Sequence, residues 1–209
     1  MKRTTKIAAI LLILLFTYGL ALAVLKKGNK LLAFSLISIE DKIVTVTLEE
    51  NRLTIIEEFM KDGKTIVEKS YPDAVMLDFW ATWCIPCRAA MPYMDKLYEK
   101  YRAKEGQAKG GLELLGIAID TRGSRVVKPF FKRATISYRM LADPTTGSDD
   151  EGLIRTTKKM KSSYKVQEIP VVFLIDAKGS INHVHVGFTK KHIKNLENAI
   201  KETIQGGKE

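Results

Sequence analysis

The feature that most constrains the fold is the apolar run AVMLDFWA at residues 74–81, which is interrupted only by Asp78. Its length and composition predict a strand buried on both faces, as in a sheet that is covered by other layers. Apolar runs at residues 112–120 and 169–176 predict two more such strands. Apolar residues at three- and four-residue intervals predict helices at residues 86–101, 124–134 and 189–204. This order predicts an α/β fold with a mixed central sheet flanked by helices.

The segment before this core carries strand and turn signals. Residues 42–48 alternate between apolar and polar side chains, which predicts a strand. Residues 51–59 fit either a second strand or a helix capped by Thr47 and Glu50. The dipeptide Asp62-Gly63 is a strong hairpin signal. We therefore expect an N-terminal β-hairpin extension before the core.

The remaining segments complete the predicted order. Pro92 is expected to kink the first helix, and Pro129 to delay the start of the second or to kink it. Residues 143–163 are polar and predict a long connection with at most one helical turn, whereas residues 181–187 alternate and predict an edge strand. We expect three parts along the chain: residues 1–30, a juxtamembrane extension at residues 31–54, and one domain at residues 55–209.

The charge of the chain is concentrated near its N-terminus. The formal net charge is +10, from 34 basic and 24 acidic residues. Residues 1–30 contain six basic residues and no acidic residue, so the rest of the chain has 28 basic against 24 acidic residues, a net charge of +4. This mild excess, without a basic stripe interleaved with aromatic residues, argues against nucleic acid as a partner.

The N-terminal segment predicts export of the rest of the chain. Residues 7–25 form a run of 19 residues without a charge, and basic residues precede it. This pattern favours a single transmembrane signal anchor with the rest of the chain outside the cytoplasm. The alternative is a signal peptide cleaved after Ala23, which would leave a secreted protein. A buried core helix is a third interpretation of the same run.

The only two cysteines, Cys84 and Cys87, directly follow the first buried strand. Such a pair could belong to a metal site, form a structural disulfide or work as a redox centre. At the start of a helix, the free backbone N–H groups and the helix dipole would stabilise a thiolate on Cys84. Pro86 suits the first helical turn, which needs no N–H donor.

The two other interpretations are weaker. A metal site would need further ligands, and His183, His185 and His192 have neither the spacing nor the context of a zinc site. We expect His183 and His185 to project from one face of an edge strand as surface groups. A structural disulfide would close a loop of only four residues, which constrains the unfolded chain very little.

The segment DFWATWCIPCRAAMP, residues 78–92, resembles the active-site segment of thioredoxin-like proteins, in particular the exported TlpA/ResA-type thiol-disulfide oxidoreductases. The resemblance covers residues 55–205, because several separated elements match in the same order. These elements are the hairpin KDGKTIVE, Pro92, the strand LLGIAID, the segment EIPVVFLIDAKGSI with Pro170, and HVGFTKKHI with Gly187. The resemblance implies a thioredoxin fold.

The resemblance also implies the roles of individual residues. Cys84 would be the attacking thiolate and Cys87 the resolving thiol of a redox-active disulfide, with Trp83 beside them. Pro170 would follow a cis peptide bond and bring the backbone of Ile169 to the disulfide, where it would pair with an extended substrate segment. Asp78 would be a buried acid that accepts the proton of Cys87, because burial raises the pKa of a carboxyl group. Neither a cofactor nor a metal is implied.

Together, these features predict a reductase of protein disulfides. Its partners would be disulfide-containing protein substrates and a membrane protein that donates electrons. A thiol peroxidase on the same fold is an alternative, although Ala81 stands where such enzymes are expected to have threonine. Reductases for cytochrome c maturation resemble this chain but usually read CRxE, and Ala90 here replaces that acid. A non-catalytic binding module is a third class.

Overall fold

A computed structural model describes residues 25–104, 106–132, 136–143, 154 and 156–206. The predicted buried strands and helices are present in the predicted order. The nine strands within the described ranges are β1 (Phe34–Ile37), β2 (Ile43–Glu49), β3 (Arg52–Lys61), β4 (Lys64–Ser70), β5 (Ala74–Trp80), β6 (Leu112–Ala118), β7 (Arg139–Ala142), β8 (Val171–Asp176) and β9 (Ile181–Val186). The four helices of the described residues are α1 (Ile85–Tyr101), α2 (Ser124–Phe131), α3 (Thr157–Ser163) and α4 (Lys190–Gly206).

The central sheet has five strands in the order β7-β6-β5-β8-β9. Strand β5 runs parallel to β6 and antiparallel to β8, and β9 is the antiparallel partner of β8 at the edge. The predicted mixed sheet and the predicted edge strand are therefore confirmed. Every residue of β5 is buried, because the strand lies in the middle of the sheet and both faces are covered.

The N-terminal extension is a four-stranded antiparallel sheet, in the order β1-β2-β3-β4, and is thus wider than the expected hairpin. The ambiguous segment at residues 51–59 forms β3 and not a helix. Asp62 and Gly63 connect β3 to β4 with φ angles of 51° and 73°, values that suit the tight turn of a hairpin. The expected boundary between residues 54 and 55 lies inside β3.

The two sheets pack face to face, and helices cover the other face of the central sheet. Because side chains alternate along a strand, Val75, Leu77 and Phe79 of β5 point toward the four-stranded sheet. Met76 and Trp80 point toward the helices instead. The helix-facing core contains the buried side chains Met91, Met94 and Leu97 of α1, Val127 of α2, and Leu196 and Ile200 of α4. Asp78 shares this face and lies under α1.

Two helices correct details of the sequence prediction. Helix α2 starts at Ser124 and includes Pro129, so the expected late start is wrong. Phe130 and Phe131 pack against Trp80 with ring centroids 5.6 and 5.4 Å apart from it, and this packing offsets the backbone hydrogen bond that Pro129 cannot make. The predicted connection at residues 143–163 contains α3 near its end, and residues 144–153 lie outside the described residues.

The predicted membrane segment at residues 7–25 falls almost wholly outside the described residues. In the part of the chain that the structure describes, no helix is both long and apolar enough to cross a bilayer. The described chain starts at Leu25, whose backbone N–H donates to the carbonyl of Tyr164.

Candidate active site

The two cysteines form a disulfide at the N-terminus of α1, with their Cα atoms 5.3 Å apart. Cys84 caps the helix, and its Sγ accepts a hydrogen bond of 3.2 Å from the backbone N–H of Cys87. Pro86 occupies the first turn, as expected. This N–H donor and the helix dipole would stabilise a negative charge on Cys84 Sγ after reduction. The geometry therefore makes Cys84 the better thiolate of the two.

Two large side chains beside the disulfide are exposed to solvent. Trp83 is 66% exposed and Ile85 is 71% exposed, whereas Cys84 and Cys87 are 5% and 2% exposed. An apolar rim around a nearly buried sulfur pair is suited to contact with another chain, because the contact would remove the apolar side chains from water. The sequence singled out Trp83, but it did not predict the role of Ile85 in this rim.

The loop before Cys84 is held by Asp120, which the sequence analysis did not identify. The backbone N–H of Thr82 and its hydroxyl donate to the Asp120 carboxylate at 3.0 and 2.6 Å. Asp120 is buried and follows β6, so the carboxyl ends of two neighbouring parallel strands meet here. A polar residue at that edge of the sheet was the signal that could have pointed to it.

The Ile169-Pro170 peptide bond is cis, in agreement with the resemblance. Pro170 directly precedes β8, whose residue Val171 pairs with Phe79 near the end of β5. The turn therefore lies at the same end of the sheet as the disulfide. Ile169 packs against the core cluster that contains both cysteines, and the carbonyl of Pro170 accepts a hydrogen bond of 2.8 Å from the backbone N–H of Gly187.

Asp78 is the buried acid of the site. It lies in the middle of the sheet, between Gly116 of β6 and Val172 of β8, and is 3% exposed. Burial raises the pKa of Asp78 to about 7. Its side chain lines a small cavity of about 20 Å³ that Ala90 and Pro170 also line. The position at which related reductases usually have an acid, Ala90, thus faces the same space as Asp78.

The three histidines lie together, which the sequence analysis did not anticipate. His183 and His185 project from one face of β9, as expected, but they are half-buried under α4 and are not surface groups. The ring of His192 from α4 is 4.2 Å from that of His185, between centroids. Among the described residues, no group of three or more histidine, cysteine, aspartate or glutamate side chains is arranged to hold a metal ion.

A wide cleft of the described chain is remote from the disulfide. It has a volume of about 540 Å³ and is lined by the β3–β4 hairpin and the start of β6, including Glu57, Glu113 and Arg139. Arg139 makes an ion pair of 2.6 Å with Glu57. The cleft lies near the N-terminal end of β6, whereas the cysteines follow the C-terminal end of the parallel strand β5. The cleft therefore opens at the opposite end of the strands from the disulfide.

Part of this chain is similar in sequence to curated relatives. The thiol-disulfide oxidoreductase ResA of Bacillus cereus is 34% identical over 128 residues, which are 60% of this chain and 62% of that protein. The thioredoxin-like protein YneN of Bacillus subtilis is 28% identical over 134 residues, 63% of this chain and 67% of that protein. The chain thus spans less than two thirds of the length of this ResA.

Solved structures have the same fold. A thiol:disulfide interchange protein DsbE from Chlorobium tepidum, described as putative, superposes with a TM-score of 0.57 and 25% identity, over 86% of this chain and 99% of that one. A disulfide isomerase from Bacteroides thetaiotaomicron, also described as putative, has a TM-score of 0.58 at 22% identity, over 87% and 91% of the two chains. The predicted thioredoxin-like α/β fold is therefore confirmed.

The family assignment rests on a match to a family sequence model. The sequence model described as the AhpC/TSA family matches residues 39–184, more than half of the chain. The match begins before β2 and ends in β9, so it includes the cysteine pair, Asp78 and the cis-proline turn. Together with the thioredoxin-like fold and the ResA relatives, this match shows that the chain belongs to the AhpC/TSA family.

Proposed function

We propose that this chain is an exported thiol-disulfide oxidoreductase that reduces disulfides in other proteins. The observation that carries the proposal is the Cys84–Cys87 pair at the start of α1, next to the cis-Pro170 turn and an exposed apolar rim. The names of the ResA relatives support the same activity.

The reaction follows from the geometry of the two sulfurs. In the reduced protein, the Cys84 thiolate attacks a sulfur of the substrate disulfide, and one substrate sulfur leaves as a thiolate. Cys87 then loses its proton to Asp78 and attacks Cys84 Sγ in the mixed disulfide. This step forms the Cys84–Cys87 bond and releases the second substrate thiolate. The substrate gains two electrons, and the cysteine pair loses two.

Substrate binding is assigned to the surface around the disulfide. Trp83 and Ile85 offer apolar contacts, while the backbone of Ile169 before the cis bond offers hydrogen bonds to an extended segment. Main-chain pairing of this kind accepts many sequences, because it uses groups that every residue has. This mode of binding suits a general reductase of protein disulfides.

Export and membrane attachment are supported by the N-terminal sequence. Residues 7–25 form the apolar run, and the net charge of residues 1–30 is strongly positive. In this arrangement, a membrane protein that carries electrons outward re-reduces the cysteine pair. Mass spectrometry of the mature protein from its membrane fraction is expected to recover Met1. A mature start at Val24 in a soluble extracytoplasmic fraction would instead establish the secreted form.

The reductase activity is tested with insulin, whose reduced B chain precipitates. We expect the full chain, solubilised in detergent and supplied with dithiothreitol, to accelerate precipitation. Cys84→Ser is expected to abolish the acceleration, because the attacking sulfur is lost. The double variant Cys84→Ser/Cys87→Ser sets the background. Wild-type precipitation no faster than this background would contradict the proposed function.

The same preparations separate the reductase from a thiol peroxidase. Cys84 forms its disulfide with a cysteine only three residues away, and Ala81 stands where a peroxidase is expected to have threonine. We therefore expect peroxide consumption to remain at the background of the double variant. Because residue 90 is alanine and Asp78 is the only acid that lines the cavity they share, the proposal is for general disulfide reduction and not specifically for cytochrome c maturation.

A further inference from the structure

Asp78 and His185 lie in one row across the central sheet. The register pairs Asp78 of β5 with Val172 of β8, and Val172 with His185 of β9. Directly paired residues point to the same face of a sheet, so all three side chains face the helices. With about 4.8 Å between neighbouring strands, the Asp78 and His185 backbones are about 10 Å apart. Val172 is the only residue between them in the row.

One ring nitrogen of His185 is buried in the protein interior. Its Nε2 is buried and has no hydrogen-bond partner among the described residues, whereas the ring bonds to the backbone of Gly187. This bond leaves Nε2 of the neutral ring as an acceptor. Burial, followed by the neighbouring His192 and His183, lowers the pKa of His185 below its usual value and so favours the neutral ring.

His192 continues the path from His185 toward solvent. Its ring meets that of His185 edge to face at 4.2 Å between centroids. The Nδ1 atom of His192 is also buried and unpartnered within the described residues, while the residue as a whole is half-buried. One side of this ring thus faces the interior, and the other reaches the surface beside α4.

A cavity joins the acid to the histidine pair. Asp78, His185 and His192 all line the cavity of about 20 Å³ under α1 and α4. A single water molecule needs about 10–15 Å³ of such space and two to four polar partners. Asp78 and the two histidines are the polar side chains of this lining, and they are therefore the groups that would bind such a water. The remaining lining is apolar and includes Met94, Val172 and Leu196.

We propose that His185 and His192 carry the proton of Asp78 from this cavity to solvent during the resolving step. The inference rests on the proposed function, because it requires that Asp78 receive the proton of Cys87. After that transfer, protonated Asp78 gives its proton through the cavity water to Nε2 of His185. His185 releases the proton through His192 to bulk water, and Asp78 returns to the carboxylate form. Both histidines therefore affect the resolving step only through the protonation of Asp78.

The third histidine supplies a matched control. His183 lies on the same strand and face as His185, with parallel rings 6.2 Å apart, and its Nε2 is likewise buried. It does not line the cavity, and the charges that act on its pKa come from Lys27 and Glu202. The charge of Asp78 also acts on Tyr138, which precedes β7, and Cys87 of α1 belongs to the buried cluster on the same face of the sheet.

The test uses the reduced full chain in detergent and an aromatic disulfide that releases a coloured thiolate. Attack by Cys84 releases the first thiolate, and attack by Cys87 on the mixed disulfide releases the second. The second phase therefore reports the resolving step alone. We expect His185→Gln to slow this phase by roughly tenfold or more, since loss of a positioned proton-transfer group costs about 10² to 10⁴ where no other route exists. His192→Gln is expected to slow it as well.

The controls make the result specific to proton transfer. The rate of the first phase is expected to be unchanged in both variants. His183→Gln is expected to show both phases at the wild-type rates. Added imidazole is expected to restore the rate of the second phase in His185→Gln. A second phase of normal rate in His185→Gln, or equal slowing in His183→Gln, would overturn the relay alone. Absence of a second phase in the wild type would overturn the dithiol reaction and the relay with it.

Discussion

At the scale of single residues, the burial of Asp78 has a structural cost, and it also suits the proton transfer proposed above. Its carboxyl group lies in the most buried strand, and burial raises its pKa to about 7. The folded protein therefore holds the neutral form at a pH where an exposed aspartate is ionised. A group poised near neutral pH can accept and release a proton in each cycle, which an ordinary aspartate with a pKa of about 3.9 does poorly.

The raised pKa of Asp78 predicts how the free energy of unfolding depends on pH. Between pH 4 and pH 7 the folded state binds more protons at Asp78 than the unfolded state, so the free energy of unfolding falls as the pH rises. The full loss is at most about 4 kcal/mol, from roughly three pKa units at 1.36 kcal/mol each. Asp78→Asn is expected to lack this loss, and to be more stable than the wild type at pH 8 but nearly equal at pH 4.

Urea denaturation of the oxidised protein at the two pH values measures this difference. Asp62→Asn, on the exposed hairpin turn, is the control for the same chemical change. Burial also raises the pKa of Glu113 to about 7, but this group is present in every variant and cancels in the comparison. Parallel pH profiles for the wild type and Asp78→Asn would show that Asp78 is not the group responsible.

The residues that the sequence could predict are those with a local signature. Cys84 and Cys87 follow a buried strand and open a helix, and Pro170 precedes another buried strand. The proximity of His185 to Asp78 has no such signature. It depends on the register of two strand pairs, both through Val172, and residues 107 positions apart give no local sign of it.

At the scale of elements, strands buried on both faces were the most predictable, because their apolar runs fit no exposed structure. Strand β3 was ambiguous since only its first half is well buried, while Glu57, Glu58 and Phe59 are half-exposed. Pairing with β2 and β4 on either side decides its conformation, and pairing cannot be read from the segment itself. Helix α2 likewise depends on its packing against Trp80, which overrides the local effect of Pro129.

At the scale of the whole molecule, the two sheets share one core. Phe34, Val46 and Ile55 of the four-stranded sheet join Leu77 and Phe79 of the central sheet in one buried cluster. The candidate active site lies on the other face of the same central sheet, above Met76 and Trp80. The extension therefore supports the layer on which the candidate catalytic residues are placed, although it supplies none of them.

A substitution at Phe34 tests whether the two sheets unfold together, because this side chain is fully buried between the sheets. We expect Phe34→Ala to lower the free energy of unfolding of the full chain by about 3–5 kcal/mol, as is usual when a large core side chain is removed. Ile43→Ala, on the outer face of β2 where Ile43 is 41% exposed, is expected to cost less than about 1 kcal/mol.

Tryptophan fluorescence during denaturation gives the decisive signal, since both tryptophans, Trp80 and Trp83, lie in or next to the central sheet. If the sheets unfold as one unit, Phe34→Ala shifts the fluorescence transition and the far-UV circular dichroism transition by the same amount. An extension that folds separately would give a different outcome. Its loss would appear as an early circular dichroism step, and the fluorescence midpoint would stay at the wild-type value because the central sheet would remain intact.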